Sequence, residues 1–146
     1  MEWSTDRKGS IAEAEIAAAA IKLGIDVYRP LQEGGRYDLI FDLGERLLRV
    51  QCKWAVRAGD VILVRCYSSR RALEGMRVRR YTATEVDAIV AYCAELDRCY
   101  VLLPQHFEGR RLLHLRLAPS RNNQRVGINW ADEFAFEHLQ SGSLGP

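Results

Sequence analysis

Asp38, Gln51 and Lys53 are the residues of this chain whose types and spacing suit one shared chemistry. From Leu47 to Trp54 the side chains alternate. Leu47, Arg49, Gln51 and Lys53 fall on one side, and Leu48, Val50, Cys52 and Trp54 on the other, which is the period of a β-strand. Gln51 and Lys53 therefore share a sheet face. Gly44 and Glu45 separate this run from Tyr37-Asp38-Leu39-Ile40, and the pattern predicts a hairpin. If Asp42 pairs with Leu47, Asp38 lies opposite Gln51, at the ~5 Å spacing of cross-strand neighbours. A carboxylate, an amide oxygen and an ammonium then converge on one spot. Such a set holds a hard divalent cation and a water beside a phosphate. Taken singly, each is also an ordinary polar residue on the exposed face of a hairpin.

Lysine is scarce here: 18 of the 21 basic residues are arginine, and the three lysines are Lys8, Lys22 and Lys53. Where arginine is the default cation, a lysine at position 53 points to a site that needs a compact charge with three rotatable donors.

The elements that must position these residues follow from periodicity and turn chemistry. Ser10 to Leu23 reads as an amphipathic helix stopped by Gly24. Glu13 has two readings in it. Ser10-Ile11-Ala12-Glu13 fits a capping box, but Glu13 also shares the core-side face of Ile16, Ala17, Ala20 and Leu23. An acid on that face is unusual unless it serves a site; Glu15 looks toward solvent. A short strand over Ile25 to Tyr28 ends at Pro30, and Gln32 to Arg36 is a glycine-containing loop. The hairpin strands are Tyr37 to Leu43 and Leu47 to Trp54. Further strands are expected over Asp60 to Tyr67, Ala88 to Cys93, Cys99 to Leu103 and Arg110 to Leu117. Ser68 to Arg80 reads as irregular, Pro119 to Asn129 as polar loop, and Trp130 to Leu139 as a short helix. The chain is expected to form one domain over residues 1–140 with a flexible tail over 141–146. A helix followed by consecutive strands predicts an α/β (α+β) domain with a central mixed sheet.

The order and spacing of these motifs resemble the PD-(D/E)XK nuclease superfamily, closest to its group I intron-associated homing endonuclease branch. The residues carrying the resemblance are Lys8-Gly9 with Glu13, Tyr37-Asp38-Leu39 and Val50-Gln51-Cys52-Lys53, followed by Val86-Asp87-Ala88-Ile89, Arg98-Cys99-Tyr100 and Asn122-Asn123-Gln124. The resemblance covers roughly residues 8 to 137. It implies a restriction-endonuclease-like core of order αβββαβ with helices flanking the sheet, and an Mg²⁺-dependent endonuclease, with Mn²⁺ as a substitute ion. Glu13, Asp38, Gln51 and Lys53 would be its catalytic residues. Glu13, Asp38, Gln51 and the Cys52 carbonyl would be its metal ligands. Gln51 departs from the carboxylate usual in the superfamily, so one negative charge is missing from the site.

Double-stranded DNA is the expected partner. Arg65, Arg70, Arg71, Arg77, Arg79 and Arg80 face a single acid, Glu74, within their stretch. That patch suits a phosphate backbone, or is a solvated loop in an arginine-rich chain. Lys8 joins the expected DNA contacts. Arg121, Asn122, Asn123 and Arg125, with Gln124 between them, carry groups that read adenine and guanine edges, or form a polar surface loop. One site cuts one strand, so a homodimer or tetramer is expected. The other readings are a Holliday-junction resolvase or repair nuclease acting on branched DNA, and a non-catalytic DNA-binding module.

Other classes are disfavoured. No run of ~18 apolar residues marks a membrane span, and the opening Met1-Glu2-Trp3 starts no signal peptide, so a cytoplasmic location is expected. Cys52, Cys66, Cys93 and Cys99 include no C-x-x-C pair and read as buried thiols. His106, His114 and His138 lack metal-ligand spacing. Ser68 and Ser69 lack a nucleophile-elbow setting. Trp3, Trp54 and Trp130 read as packing anchors.

Overall fold

The computed structural model describes residues 2–119, 122 and 126–141, with the side chains of 70, 71 and 141 left aside. Helix α1 (Thr5–Lys22) begins earlier than the Ser10 expectation. Ser4 is its N-cap, with Oγ accepting from the Arg7 amide at 3.2 Å. Asp6 in the first turn complements the positive end of the helix dipole. Ser10 and Glu13 therefore lie inside the helix, and the capping box is overturned. The stop falls as expected. Gly24, at φ +85°, donates to Ile21 O at 2.9 Å, and Ile25 donates to Ala20 O at 3.0 Å. These are the paired bonds of a Schellman motif, which needs the left-handed backbone that glycine adopts without strain.

The strands are β1 (Asp26–Tyr28), β2 (Leu39–Asp42), β3 (Leu47–Trp54), β4 (Val56–Ala58), β5 (Val61–Arg65), β6 (Tyr67–Ala72), β7 (Gly75–Arg80), β8 (Ala88–Cys93), β9 (Arg98–Leu102) and β10 (Leu112–Arg116). Short helices α2 (Pro104–Phe107) and α3 (His138–Ser141) and a 3-10 turn at Ala131–Phe134 complete the described elements. The expected single helix over Trp130 to Leu139 is broken at Ala135, which forms a β-bridge with Tyr100.

The central sheet has the order β1-β2-β3-β8-β9. It is mixed, as expected: β3 and β8 are parallel and the other neighbours antiparallel. Asp42 pairs with Leu47 and Leu39 with Val50, the register expected for the hairpin. All six residues of β8 are buried, so its continuous apolar run is that of a strand covered on both faces. On one face α1 packs through Ala12, Ile16 and Ala20 against Phe41, Leu48, Val50, Val90 and Val101. On the other, Ile89, Ala91, Tyr100 and Leu102 meet Ile62, Val64, Leu113 and Leu115 of a second sheet, ordered β10-β5-β4.

One departure separates this chain from the αβββαβ order. The crossover from β3 to its parallel neighbour β8 holds β4 to β7, and no helix among the described residues. Val61-Ile62-Leu63-Val64 is apolar with three β-branched residues, and it buries better as a sheet strand than as a helix face. The stretch expected to be irregular, Ser68 to Arg80, pairs as β6 and β7 from Tyr67↔Arg80 to Ala72↔Gly75. Its sequence shows no apolar alternation because neither side of β7 is covered. The ladder rests on backbone bonds, with Gly75 at φ +111° allowing the tight turn. The four cysteines are buried free thiols. Cys93 and Cys99 belong to opposite cores. The final segment, 142–146, lies outside the described residues. No helix among the described residues is long and apolar enough to cross a membrane.

The β3–β8 register is locked by Arg49. Its Nε lies 2.9 Å from Asp87 Oδ2 and its Nη2 3.0 Å from Oδ1, while the Arg49 amide donates to Oδ2 at 2.8 Å. Nη1 also donates to Thr84 O at 2.8 Å. The Arg49 hydrogen bonds hold the Asp87 carboxyl below the usual carboxylate range. A depressed folded pKa means stability present above the unfolded value and lost as pH falls through the folded one. Asp87→Asn should cost about 1–2 kcal/mol in urea unfolding at pH 7. The gap to wild type should close on acidification below about pH 4. A gap unchanged at low pH would show that the pair contributes nothing.

Candidate active site

β3 presents Gln51 and Lys53 on the face turned away from α1, because Leu48, Val50 and Cys52 are buried beneath the helix. Asp38 stands immediately before β2. Pairing ends at Leu39↔Val50, yet two hydrogen bonds carry the contact one residue further. The Asp38 amide donates to Val50 O at 2.8 Å, and Asp38 Oδ2 accepts from the Cys52 amide at 2.9 Å. Asp38 is thereby fixed beside Gln51. Its carboxyl is pushed up by burial, while the Cys52 amide and the charges of Lys53 and Arg29 act in the opposite direction.

Asp38 and Gln51 line a cleft of about 690 Å³ together with Gly34, Arg36, Ser68, Arg77, Arg79 and Tyr81. Asp38 also lines an adjoining cleft of about 250 Å³ with Glu13, Arg29 and Glu33. Glu13 comes from the opposite layer, from α1. It is half-buried and paired to Arg29 at 3.0 Å. Burial raises its carboxyl pKa, and Asp38 raises it further. The two acids therefore sense each other across the edge of the sheet.

Lys53 is half-buried. Its Nζ donates to Tyr67 O at 2.9 Å and lies 4.9 Å from the centre of the Tyr81 ring. Burial pushes its pKa down to about 8, with Asp38 opposing and Arg36 and Arg65 assisting. The ammonium thus sits in a poorly hydrated place, where desolvation outweighs the favourable charge of Asp38.

The oxygen donors suit a hard divalent ion. Asp38 keeps one carboxylate oxygen beyond its bond to Cys52. Gln51 Nε2 lies 3.3 Å from Cys52 O, so a half-turn of the amide puts its oxygen beside that carbonyl. Among the described residues no group of three or more His, Cys, Asp or Glu side chains forms a metal cage. The set carries little negative charge, and it fits an ion that keeps several of its waters, as Mg²⁺ does.

The expected DNA contacts divide. Arg77 and Arg79 line the larger cleft, where Arg77 pairs with Glu74 at 2.6 Å and Arg79 with Glu85. Arg80 Nη1 donates to Gly109 O at 3.1 Å and anchors the hairpin instead. Arg65 is exposed at the end of β5, and Asn122 is exposed in a turn. Lys8 Nζ lies 5.9 Å from the Trp54 ring centre, and Trp54 packs edge-on against Trp3 and Tyr92. Arg70 and Arg71 belong to β6, and their side chains lie outside the described residues, as do Arg121, Asn123, Gln124 and Arg125.

The sequence reading passed over Arg36, Tyr81 and Arg29. Arg36 stands two residues before Asp38, a proximity that marks it only once the loop is known to turn inward. A tyrosine closing an arginine run signals burial, but nothing local shows what it covers.

The structure of a bacterial homing endonuclease, I-Ssp6803I, is similar to this one, with a TM-score of 0.75 and 26% identity over 97% of each chain. No curated protein sequence matches the chain. The sequence matches the PD-(D/E)XK endonuclease family over residues 3–137. With that match spanning both strands of the hairpin and the helix that delivers Glu13, this chain belongs to the PD-(D/E)XK endonuclease family and is a nuclease.

Proposed function

We propose that the protein hydrolyses phosphodiester bonds of double-stranded DNA at defined sites, in the homing manner, with Mg²⁺ as cofactor and Mn²⁺ as a working substitute. The observation that carries this is a cleft lined by Asp38 and Gln51 and walled by Arg77 and Arg79, with Lys53 on the same strand face as Gln51 and its ammonium against Tyr81 of the lining. Asp38, Gln51, the Cys52 carbonyl and Glu13 would hold the metal, which when bound polarises the scissile phosphate and activates water. The chain's own groups do the rest. Asp38 favours the charged form of Lys53. The Lys53 ammonium orients the attacking water and neutralises charge growing on the phosphate oxygens as one P–O bond forms and another breaks. Glu13, once drawn from Arg29, accepts a hydrogen bond from that water. The arginines hold the backbone. Cutting both strands at one locus calls for two such sites, hence a homodimer or tetramer.

Three outcomes are expected. Lys53→Ala should lower Mg²⁺-dependent cleavage of a long duplex by about 100-fold or more, while DNA binding in Ca²⁺ stays within a few-fold, since one ammonium among many cations adds little phosphate affinity. Undiminished cleavage would sink the assignment; mapping against a four-way junction tells a site-specific enzyme from a resolvase. Gln51→Glu should restore a charge and tighten Mg²⁺ or Mn²⁺ binding in titration calorimetry; an unchanged affinity removes Gln51 from the metal. Arg77→Ala with Arg79→Ala should weaken binding to all sequences and reduce the salt slope by about one per lost contact, and a wild-type slope would exclude them from the interface.

A further inference from the structure

The Lys53 ammonium is held by groups from the two ends of the β6–β7 hairpin. Tyr67, whose carbonyl accepts from Nζ at 2.9 Å, is the first residue of β6. Tyr81, whose ring centre lies 4.9 Å from Nζ, follows the last residue of β7. Tyr81 is only 2% exposed and belongs to the core beneath the second sheet. The same ring receives Arg36, with the guanidinium carbon 4.2 Å from its centre. Arg36 in turn fastens both hairpin strands. Its Nη1 donates to Ser68 Oγ at 2.7 Å on β6 and its Nη2 to Arg80 O at 2.7 Å on β7, with Nε 3.2 Å from Glu85.

Two cations against one buried ring is not an arrangement that packing alone selects. Arg36 and Lys53 repel each other, and an aliphatic side chain would fill the same volume. An aromatic face offers both an electron-rich surface, which offsets that repulsion at short range. We propose that Tyr81 is a positioning residue for Lys53, its ring and the Tyr67 carbonyl fixing the ammonium while the hairpin base and Arg36 fix the ring. The inference rests on the catalytic reading of Lys53 given above. It adds that a four-carbon side chain with free torsions is confined to one place by a π-face and one carbonyl. It also places the support of the catalytic lysine on the hairpin whose arginines line the cleft. A misplacement of ~1 Å at such a centre is enough to cost about 100-fold in rate.

The test compares Tyr81→Leu, which keeps an apolar filling, with Tyr81→Phe, which keeps the ring. The chain has only three lysines, so protein labelled with ¹³C-lysine gives three side-chain methylene sets in a carbon–proton spectrum, and Lys53→Met identifies the one from Lys53. In the wild-type protein that signal should be shifted upfield by the Tyr81 ring current. The shift should persist in Tyr81→Phe and vanish in Tyr81→Leu. For plasmid cleavage, Tyr81→Leu should lower kcat by about 10–100-fold with KM moving less than about threefold, and Tyr81→Phe should recover kcat to within about threefold of wild type. The proposal is overturned if Tyr81→Leu keeps the wild-type kcat, if its defect lies in KM, or if the wild-type Lys53 signal carries no ring-current shift. Should Tyr81→Leu fail to fold, the wild-type and phenylalanine spectra still decide the contact. Because the spectra need no activity, a protein that cuts no DNA would refute the nuclease mechanism and leave this contact to stand or fall separately.

Discussion

β3 is bound on both sides, antiparallel to β2 and parallel to β8, and its register constrains everything at the site. A slip of one residue would turn Val50 and Cys52 toward the cleft and drive Gln51 and Lys53 under α1. The sequence opposes that slip with three apolar residues on the buried side. The parallel pairing to β8 needs more, since it closes a crossover of more than 30 residues. Arg49 and Asp87 provide it, with a forked pair reinforced by the Arg49 amide, set on the strand that carries Gln51 and Lys53.

The electrostatics of the cleft follow from that geometry. Asp38 stands just before β2, beside Gln51 of β3, and Glu13 of α1 lines a second cleft with it. Burial raises both acids and lowers the lysine. A divalent cation would relieve the first strain, and a phosphate oxygen the second. With glutamine at position 51, the carboxylates at the two clefts are those of Asp38, Glu13 and Glu33, and Arg29 already neutralises that of Glu13. The site is thus poor in negative charge, which favours a metal that arrives with its water and is completed by substrate oxygens.

The strand-rich crossover gives the chain its particular form of this fold. β5 roofs the second core, while β6 and β7 leave that core and stand at the cleft. The hairpin presents arginines on an uncovered ribbon, and its base returns Tyr67 and Tyr81 to Lys53. One segment therefore forms the cleft wall and the support of its lysine. Arg36 joins the two by holding the hairpin strands and the ring together.

Residue pattern alone specifies what is local. Alternation over Leu47 to Trp54, with turn residues at Gly44 and Glu45, specified a hairpin whose register set Asp38 opposite Gln51, because side-chain period and turn length leave one pairing that buries the apolar face. Gly24 as a helix stop and the apolar strand at Ala88 to Cys93 were legible from local composition in the same way. The helix start was misplaced because Ser4 and Ser10 are both plausible caps, and the choice depends on which turn the core can cover. The hairpin over Tyr67 to Arg80 was invisible because an uncovered ribbon bears no apolar pattern. That Arg36, Arg29 and Tyr81 line the two clefts follows from long-range packing. Tyr67 and Tyr81 lie far along the chain from Lys53, and their meeting depends on how a long crossover closes, which no local periodicity records.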